Sequence, residues 1–154
     1  MTNREYAYQN DENTRKARAF LNRPTTLDKA ITDKLEQISH LRELVSKMSS
    51  FNATTRVSAS RNVSTLEDRL LTICQLEREV DRLIDAMSEA REAVEQMLGH
   101  LPLPIHRVLD LIYLAGLPRA EVAQKMNTSR TTVYRYQEQG ILLVAGLLGP
   151  EEAA

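Results

Sequence analysis

Two long stretches of the chain place apolar residues every three or four positions, a pattern typical of helices that bury one face. In the stretch from about Thr26 to Ser49 these positions are Leu27, Ile31, Leu35, Ile38, Leu41, Val45 and Met48. In the stretch from about Ser64 to Leu98, apolar residues recur every seven positions in two sets. The first set is Leu66, Ile73, Val80, Met87 and Val94, and the second is Leu76, Leu83, Ala90 and Met97. Because this spacing is close to the coiled-coil repeat, we predict two long helices that either pair as an antiparallel hairpin or pack against a second chain.

The segment between the two stretches, residues 49–63, is rich in Ser, Thr and Asn. Their side chains compete for backbone hydrogen bonds, so the segment predicts a loop. Ser64 followed by Glu67 fits a capping box, which places the start of the second helix at this point. Gly99 and the prolines that follow it end that helix, so the predicted hairpin spans residues 25–99.

The residues before the hairpin, 1–24, are polar and end in Pro24. We predict that they form a flexible tail, or at most contain a short helix around Thr14–Leu21. The chain therefore divides, on its sequence, into a polar N-terminal tail, a helical hairpin and a C-terminal part that covers residues 100–149.

Within the C-terminal part, residues 119–138 have the pattern of two short helices joined by a tight turn. The apolar face of the first helix is formed by Val122, Ala123 and Met126, and that of the second by Val133 and Tyr136. The small Ala123 stands where the helices must cross closely, because a larger side chain would push them apart. This combination indicates a helix-turn-helix.

The residues around the motif agree with this interpretation. Asn127 opens the turn, and Asn is one of the few residues besides Gly that tolerates a left-handed backbone. Ser129 is placed to cap the second helix by accepting a backbone N–H, and Pro118 suits the start of the first. Upstream, apolar residues recur at helical spacing and predict a third helix: Ile105, Val108, Leu109, Ile112 and Tyr113. We predict an all-α protein in which a long, coiled-coil-like hairpin precedes a trihelical helix-turn-helix domain.

The second helix of the motif turns a row of hydrogen-bond donors to solvent, namely Arg130, Thr131, Tyr134 and Arg135. Such side chains are what a helix in the major groove of DNA needs. The sequence therefore favours a DNA-binding domain. The competing interpretation is a helical pair inside an ordinary core that contacts no nucleic acid.

Composition and charge narrow the choice. Five Gly and five Pro in 154 residues, with abundant Leu, Glu, Arg and Ala, indicate an all-helical chain. The net charge of −1 argues against a generally basic nucleic-acid-binding surface, so any contact with DNA must be local. Residues 101–150 contain five basic and three acidic side chains, which makes this segment mildly positive.

No residue pattern points to catalysis, a metal or a cofactor. The three histidines and the single cysteine, Cys74, have no metal-ligand spacing. No nucleophile elbow or phosphate loop is present, so we expect no enzyme. The lone cysteine and the absence of a signal peptide suggest the cytoplasm. The apolar segment 141–148 is too short to span a bilayer, and we expect it to pack on the core or on a partner subunit.

The motif carries a resemblance to known families. The segments Ile105–Met126 and Ser129–Arg135, together with the preceding hairpin, resemble the ArpU and RinA type of phage transcriptional regulators. The same segments are similar to region four of bacterial primary sigma factors. The resemblance implies a regulator in which Arg130, Thr131, Tyr134 and Arg135 face the DNA groove. It also implies that Arg119 and Ser129 hold phosphates near the helix starts.

These inferences favour a sequence-specific transcriptional regulator of a phage or prophage that binds double-stranded DNA in a bacterial cytoplasm. We expect a homodimer through the hairpin, because two helices alone bury little surface and paired motifs read half-sites one DNA turn apart. Two alternatives are a small terminase-type DNA-packaging subunit and an interaction module that acts on RNA polymerase. A ring-shaped oligomer would favour packaging, whereas a dimer would favour regulation.

Overall fold

The computed structural model describes the backbone of residues 3–52 and 59–152, and within them the side chains of residues 11–49 and 64–149. All the regular structure in these ranges is helical. In chain order it consists of α1 (Asn3–Asn52), α2 (Ala59–Leu98), α3 (Leu103–Leu109), a π-helical turn (Asp110–Leu114), α4 (Arg119–Lys125) and α5 (Arg130–Glu152). The predicted all-α fold, a long hairpin followed by a helix-turn-helix, is confirmed. No helix of the described residues is long and apolar enough to cross a membrane.

The first helix starts much earlier than the sequence suggested. Since α1 begins at Asn3 and continues through Pro24, the prediction of a flexible tail or only a short helix over residues 1–24 is wrong. An internal proline removes one backbone hydrogen bond, and this loss is outweighed where the helix buries apolar side chains. Ala17 and Leu21, one helical turn apart, are both fully buried.

Both ends of the segment predicted as a loop are helical. Helix α1 extends to Asn52 and α2 starts at Ala59, so part of the Ser- and Thr-rich segment 49–63 is helical. The remaining residues of this segment, 53–58, lie outside the described residues. Ser64 lies inside α2, so its predicted role in a capping box at the helix start is wrong.

The chain divides into two compact units, and one of them is Leu27–Ala86. This unit holds parts of both long helices, and the apolar residues predicted to face inward include four that are buried: Ile31, Ile38, Ile73 and Val80. Two ion pairs join its helices. Lys34 Nζ lies 2.6 Å from Glu79 Oε2, and Arg42 binds Glu77. Pairing within one chain is thus the arrangement observed for the two long helices.

The other unit combines the residues up to Thr26 with those from Met87 onward. Its main core draws on α1, α2, α3 and α5 and consists of Ala17, Leu21, Val94, Leu98, Leu101, Ile105, Leu109, Tyr113, Ile141, Val144 and Leu148. The units cut across both long helices, whereas the sequence suggested divisions near residues 24 and 99. That residues 25–99 act as a separate functional domain stays a prediction.

The third predicted helix is present, but it changes from an α-helix to a π-helix along its length. It runs as α3 to Leu109 and continues as a π-helical turn, which the Ala115 N–H closes by donating to the carbonyl of Asp110 at 3.0 Å. Such turns are rare and often lie near functional sites. Here the turn carries Tyr113 into the core, where its hydroxyl becomes available to α5.

Helix α5 lies very close to α3 at Gly140. A Cβ added there would come within 2.6 Å of Leu109 Cδ1 and 2.9 Å of Ile105 Cγ2, so any larger residue would force these buried side chains or the helices to shift. Beyond Gly140, α5 continues through residues 141–148 and buries Ile141 and Val144. Of the two environments expected for this apolar segment, the core of its own chain is the one observed for these side chains.

Candidate nucleic-acid interface

The helix-turn-helix has its own small core. Val122, Ala123 and Val133 are buried in it together with Val108 of α3. Met126 and Tyr136, the other members of the predicted apolar faces, are partly buried against this core. The predicted packing of α4 against α5 is therefore confirmed, including the small residue at their crossing.

The turn between α4 and α5 has the geometry that its residues predicted. Asn127 adopts a left-handed backbone with φ of 52°. The Thr128 N–H donates to the carbonyl of Ala123 at 3.0 Å and closes the turn. Ser129 caps α5, because its Oγ accepts a hydrogen bond from the Thr132 N–H at 3.1 Å. The start of α5 is thereby fixed relative to α4.

Four of the six predicted site residues line one open depression on the surface of the motif. It has a volume of about 420 Å³, and its walls are Arg119, Ala120, Arg130, Thr131 and Tyr134. The remaining two are placed differently. Ser129 forms the cap of α5, and the guanidinium of Arg135 lies over the ring of Tyr136 at 5.8 Å from its centre. Both are exposed to solvent.

Arg119 is held by two contacts. Its Nε donates to Gln137 Oε1 at 2.7 Å, and its guanidinium lies 5.0 Å from the centre of the Tyr134 ring. Gln137 in turn donates from Nε2 to the Tyr113 hydroxyl at 3.0 Å. A continuous set of contacts thus runs from the π-helical turn through the core to the exposed end of α4. Because these contacts hold the Arg119 side chain in place, they also fix the direction in which its terminal nitrogens point.

Gln137 supports the candidate site through these two hydrogen bonds, and the sequence interpretation missed it. It is the buried polar residue among the described side chains, and it occupies the position one turn after Val133 on the buried side of α5. A polar residue at such a position needs a hydrogen-bond partner. That position in the helical repeat is the signal from which its role could have been inferred.

The charges around the motif leave its cations available. In the part of the chain that the structure describes, no ion pair joins Arg119, Arg130 or Arg135 to a carboxylate. The carboxylate one turn after Tyr134, that of Glu138, accepts two hydrogen bonds from Arg18 Nη2, both at 3.0 Å. The negative charge nearest to the depression along α5 is therefore compensated by a residue of α1.

The described residues contain no group of three or more His, Cys, Asp or Glu side chains arranged to hold a metal ion.

Comparison with protein families places the motif in a known class. Residues 91–140 match the family model described as Sigma-70, region 4. The match covers the end of α2, the helices α3 and α4, and the first half of α5. Comparisons with curated proteins and with solved structures gave no significant match. The C-terminal part is thus a sigma-70 region 4-like helix-turn-helix, which indicates a DNA-binding protein connected with transcription and a regulatory rather than an enzymatic role.

Proposed function

We propose that this protein is a sequence-specific DNA-binding transcriptional regulator that places the first two turns of α5 in the major groove. The observation that carries the proposal is the row of solvent-exposed donors at the start of α5, within a helix-turn-helix of the sigma-70 region 4 type. Arg130 and Arg135 supply guanidinium groups, which bind guanine edges in pairs of hydrogen bonds. Thr131 adds a hydroxyl that donates or accepts.

Tyr134 and Arg119 act together in this proposal. The Tyr134 ring is 49% exposed and carries the Arg119 guanidinium, so the phenol is offered to the groove while the arginine reaches a backbone phosphate at its edge. Ser129, at the cap of α5, lies beside the N–H groups that begin the helix, a place where phosphates bind. Phosphate contacts fix the orientation of the helix, and base contacts give the specificity.

The wider role is part of the same proposal. The order of parts, a helical hairpin before a C-terminal helix-turn-helix, supports a regulator of the ArpU and RinA type, encoded by a phage or prophage and acting in the bacterial cytoplasm as an oligomer. The hairpin retains exposed apolar side chains on which a second chain or RNA polymerase can dock: Leu35, Leu70, Leu71 and Ile84. Leu35 was expected in the buried row, and it is 49% exposed.

Binding to DNA from around the protein's own gene tests the function. We would titrate labelled fragments of that DNA with the purified protein over a series of salt concentrations and measure fluorescence anisotropy. One fragment should bind selectively, with an affinity that falls steeply with salt as counterions are released. In an Arg130→Ala/Arg135→Ala variant the affinity for this fragment should fall about 100-fold or more, since each paired contact to a base contributes about 1–3 kcal/mol.

The matched control is Arg78→Ala/Arg82→Ala, which removes the same charge from exposed positions of α2. Its selective binding should persist. Equal losses in the two variants would show that net charge alone drives binding. A folded wild-type protein that selects no fragment would contradict the proposal and favour an interaction module.

A further inference from the structure

Helix α5 extends well beyond the residues proposed to contact DNA, and its second half is uncharged. From residue 139 to residue 149 the chain contains no Asp, Glu, Lys or Arg. Within this segment Leu142, Leu143 and Leu147 are 52%, 42% and 49% exposed. Three half-exposed leucines on one short segment form an apolar surface that the core of this chain does not cover.

The exposed leucines occupy a face of α5 of their own. At about 100° per residue, the average directions of the buried residues, the DNA-facing residues and these leucines lie roughly 100–140° apart, with Arg135 at the border between the last two sets. The buried face includes Val133, Ile141 and Val144. The DNA-facing row consists of Arg130, Thr131, Tyr134 and Arg135. The apolar face, defined here as Leu142, Leu143, Gly146 and Leu147, is therefore available for contact while the recognition face is on DNA.

Gly146 lies in the middle of this apolar face. A Cβ added there would meet nothing within 4 Å, so the fold of the single chain does not require a glycine at this position. A helix surface with a glycine between leucines lets another helix approach its backbone closely. The contrast with Gly140 is direct, because that glycine is needed for packing inside the chain.

The apolar face continues into a groove on the same compact unit. Leu147 belongs to both. The groove has a volume of about 600 Å³, and its other lining residues are Phe20, Ala93, Met97 and Leu148, together with the polar Arg23, Gln96 and His100. A stable interface buries at least about 1,200 Å² in total, more than one helix face supplies. The groove enlarges the surface that a partner helix and its flanking side chains can cover.

We propose that the apolar face of α5 binds the same face of a second copy of this chain, so that two α5 helices cross antiparallel at the centre of Leu142–Leu147, beside Gly146. The proposal rests on the proposed function for its geometric argument. The centre of Arg130–Arg135 lies twelve residues from the centre of Leu142–Leu147, which is about 18 Å along a helix. A two-fold axis through the crossing then separates the two recognition segments by about 36 Å.

That separation matches DNA. Helix-turn-helix dimers read half-sites about 34–36 Å apart, one turn of the double helix, on one side of the duplex. The uncharged segment also allows two identical surfaces to meet without repulsion between like charges. The interface thereby sets the spacing of the half-sites.

Sedimentation equilibrium and DNA binding of one set of full-length variants test this interface. Gly146→Glu places a charge at the crossing, where the single chain has room for it. Its dimer dissociation constant should rise by roughly tenfold or more, because the change falls at the centre of the interface. Its affinity for a fragment with two half-sites should fall by a similar factor, while its affinity for a single half-site stays unchanged. Circular dichroism and thermal unfolding confirm that each variant is folded.

The control is a Leu35→Glu/Ile84→Glu variant of the hairpin, which should remain a dimer. Dissociation of this variant, together with an intact Gly146→Glu dimer, would place the interface on the hairpin and overturn the inference. A monomeric wild type would overturn it as well. Sedimentation requires no DNA, so a Gly146-dependent dimer that binds no DNA would support the interface while contradicting the proposed function.

Discussion

At the scale of single residues, the helix-turn-helix depends on one buried amide. Gln137 accepts a hydrogen bond from Arg119 and donates one to Tyr113, so it links an exposed cation to the core. The sequence predicted the surface row and the apolar faces, because these follow from helical periodicity. It did not predict this connection, because which side chain reaches a buried amide depends on the π-helical turn that carries Tyr113.

Replacing Gln137 should cost stability. In Gln137→Leu the side chain can neither accept from the Arg119 guanidinium nor donate to the Tyr113 hydroxyl. The free energy of unfolding should fall by about 1–3 kcal/mol, the range for losing a hydrogen bond to a charged group and leaving a buried partner unsatisfied. Urea unfolding measures this fall in the free energy of unfolding. Gln139→Leu, the same change at a neighbouring exposed position, should leave the midpoint nearly unchanged, and equal effects would contradict the role of the amide.

At the scale of helices, the sequence was informative where periodicity is long and less so at helix ends. The seven-residue rows of α2 predicted the hairpin correctly. Pro24 and the Ser-rich segment suggested ends that the structure does not have. At Pro24, packing outweighs the low helix propensity of the local sequence. Ala17 and Leu21 are buried just before the proline, and this burial stabilises the helix by more than the one missing hydrogen bond costs.

The packing of α5 on α3 predicts that the same substitution at two glycines of α5 has opposite effects on stability. Gly140→Ala puts a methyl group 2.6 Å from Leu109 Cδ1, so the buried Leu109 side chain or the helices must shift, at a cost of about 1–3 kcal/mol. Gly146→Ala meets no atom and should instead stabilise the chain by about 0.5–1 kcal/mol, because alanine favours the helix. Thermal unfolding of both variants at a concentration where the protein is monomeric compares them. A stabilised Gly140→Ala variant would show that the close approach is wrong.

The hairpin offers a prediction about pH. The hydrogen bond from Lys34, and then its charge, lower the pKa of Glu79 below its ordinary value of 4.5. A lowered pKa in the folded state stabilises the hairpin above the pKa of the unfolded chain, and this contribution disappears as the pH falls through the folded-state value. In Lys34→Gln the pKa of Glu79, followed by NMR, should rise toward 4.5. The control Lys29→Gln should leave it in place, and an unchanged pKa in Lys34→Gln would exclude the ion pair as the cause.

At the scale of the whole molecule, one helix joins recognition to assembly. The first turns of α5 carry the proposed DNA contacts, its middle fills the core with Ile141 and Val144, and its later leucines remain exposed. The sequence predicted the order of these segments. It could not predict which leucines the chain covers by itself, because that depends on contacts between residues far apart in sequence, such as those of Ala17 and Leu21.

NMR of the labelled protein shows directly whether α4 and the start of α5 form the DNA-binding surface. Amide and arginine side-chain signals would be followed while the selected DNA fragment is added. We expect the changes to concentrate on Arg119 and residues 129–136, and the signals from residues 27–86 to stay in place. Changes confined to the hairpin, with the signals of Arg130 and Arg135 unaffected, would contradict this expectation.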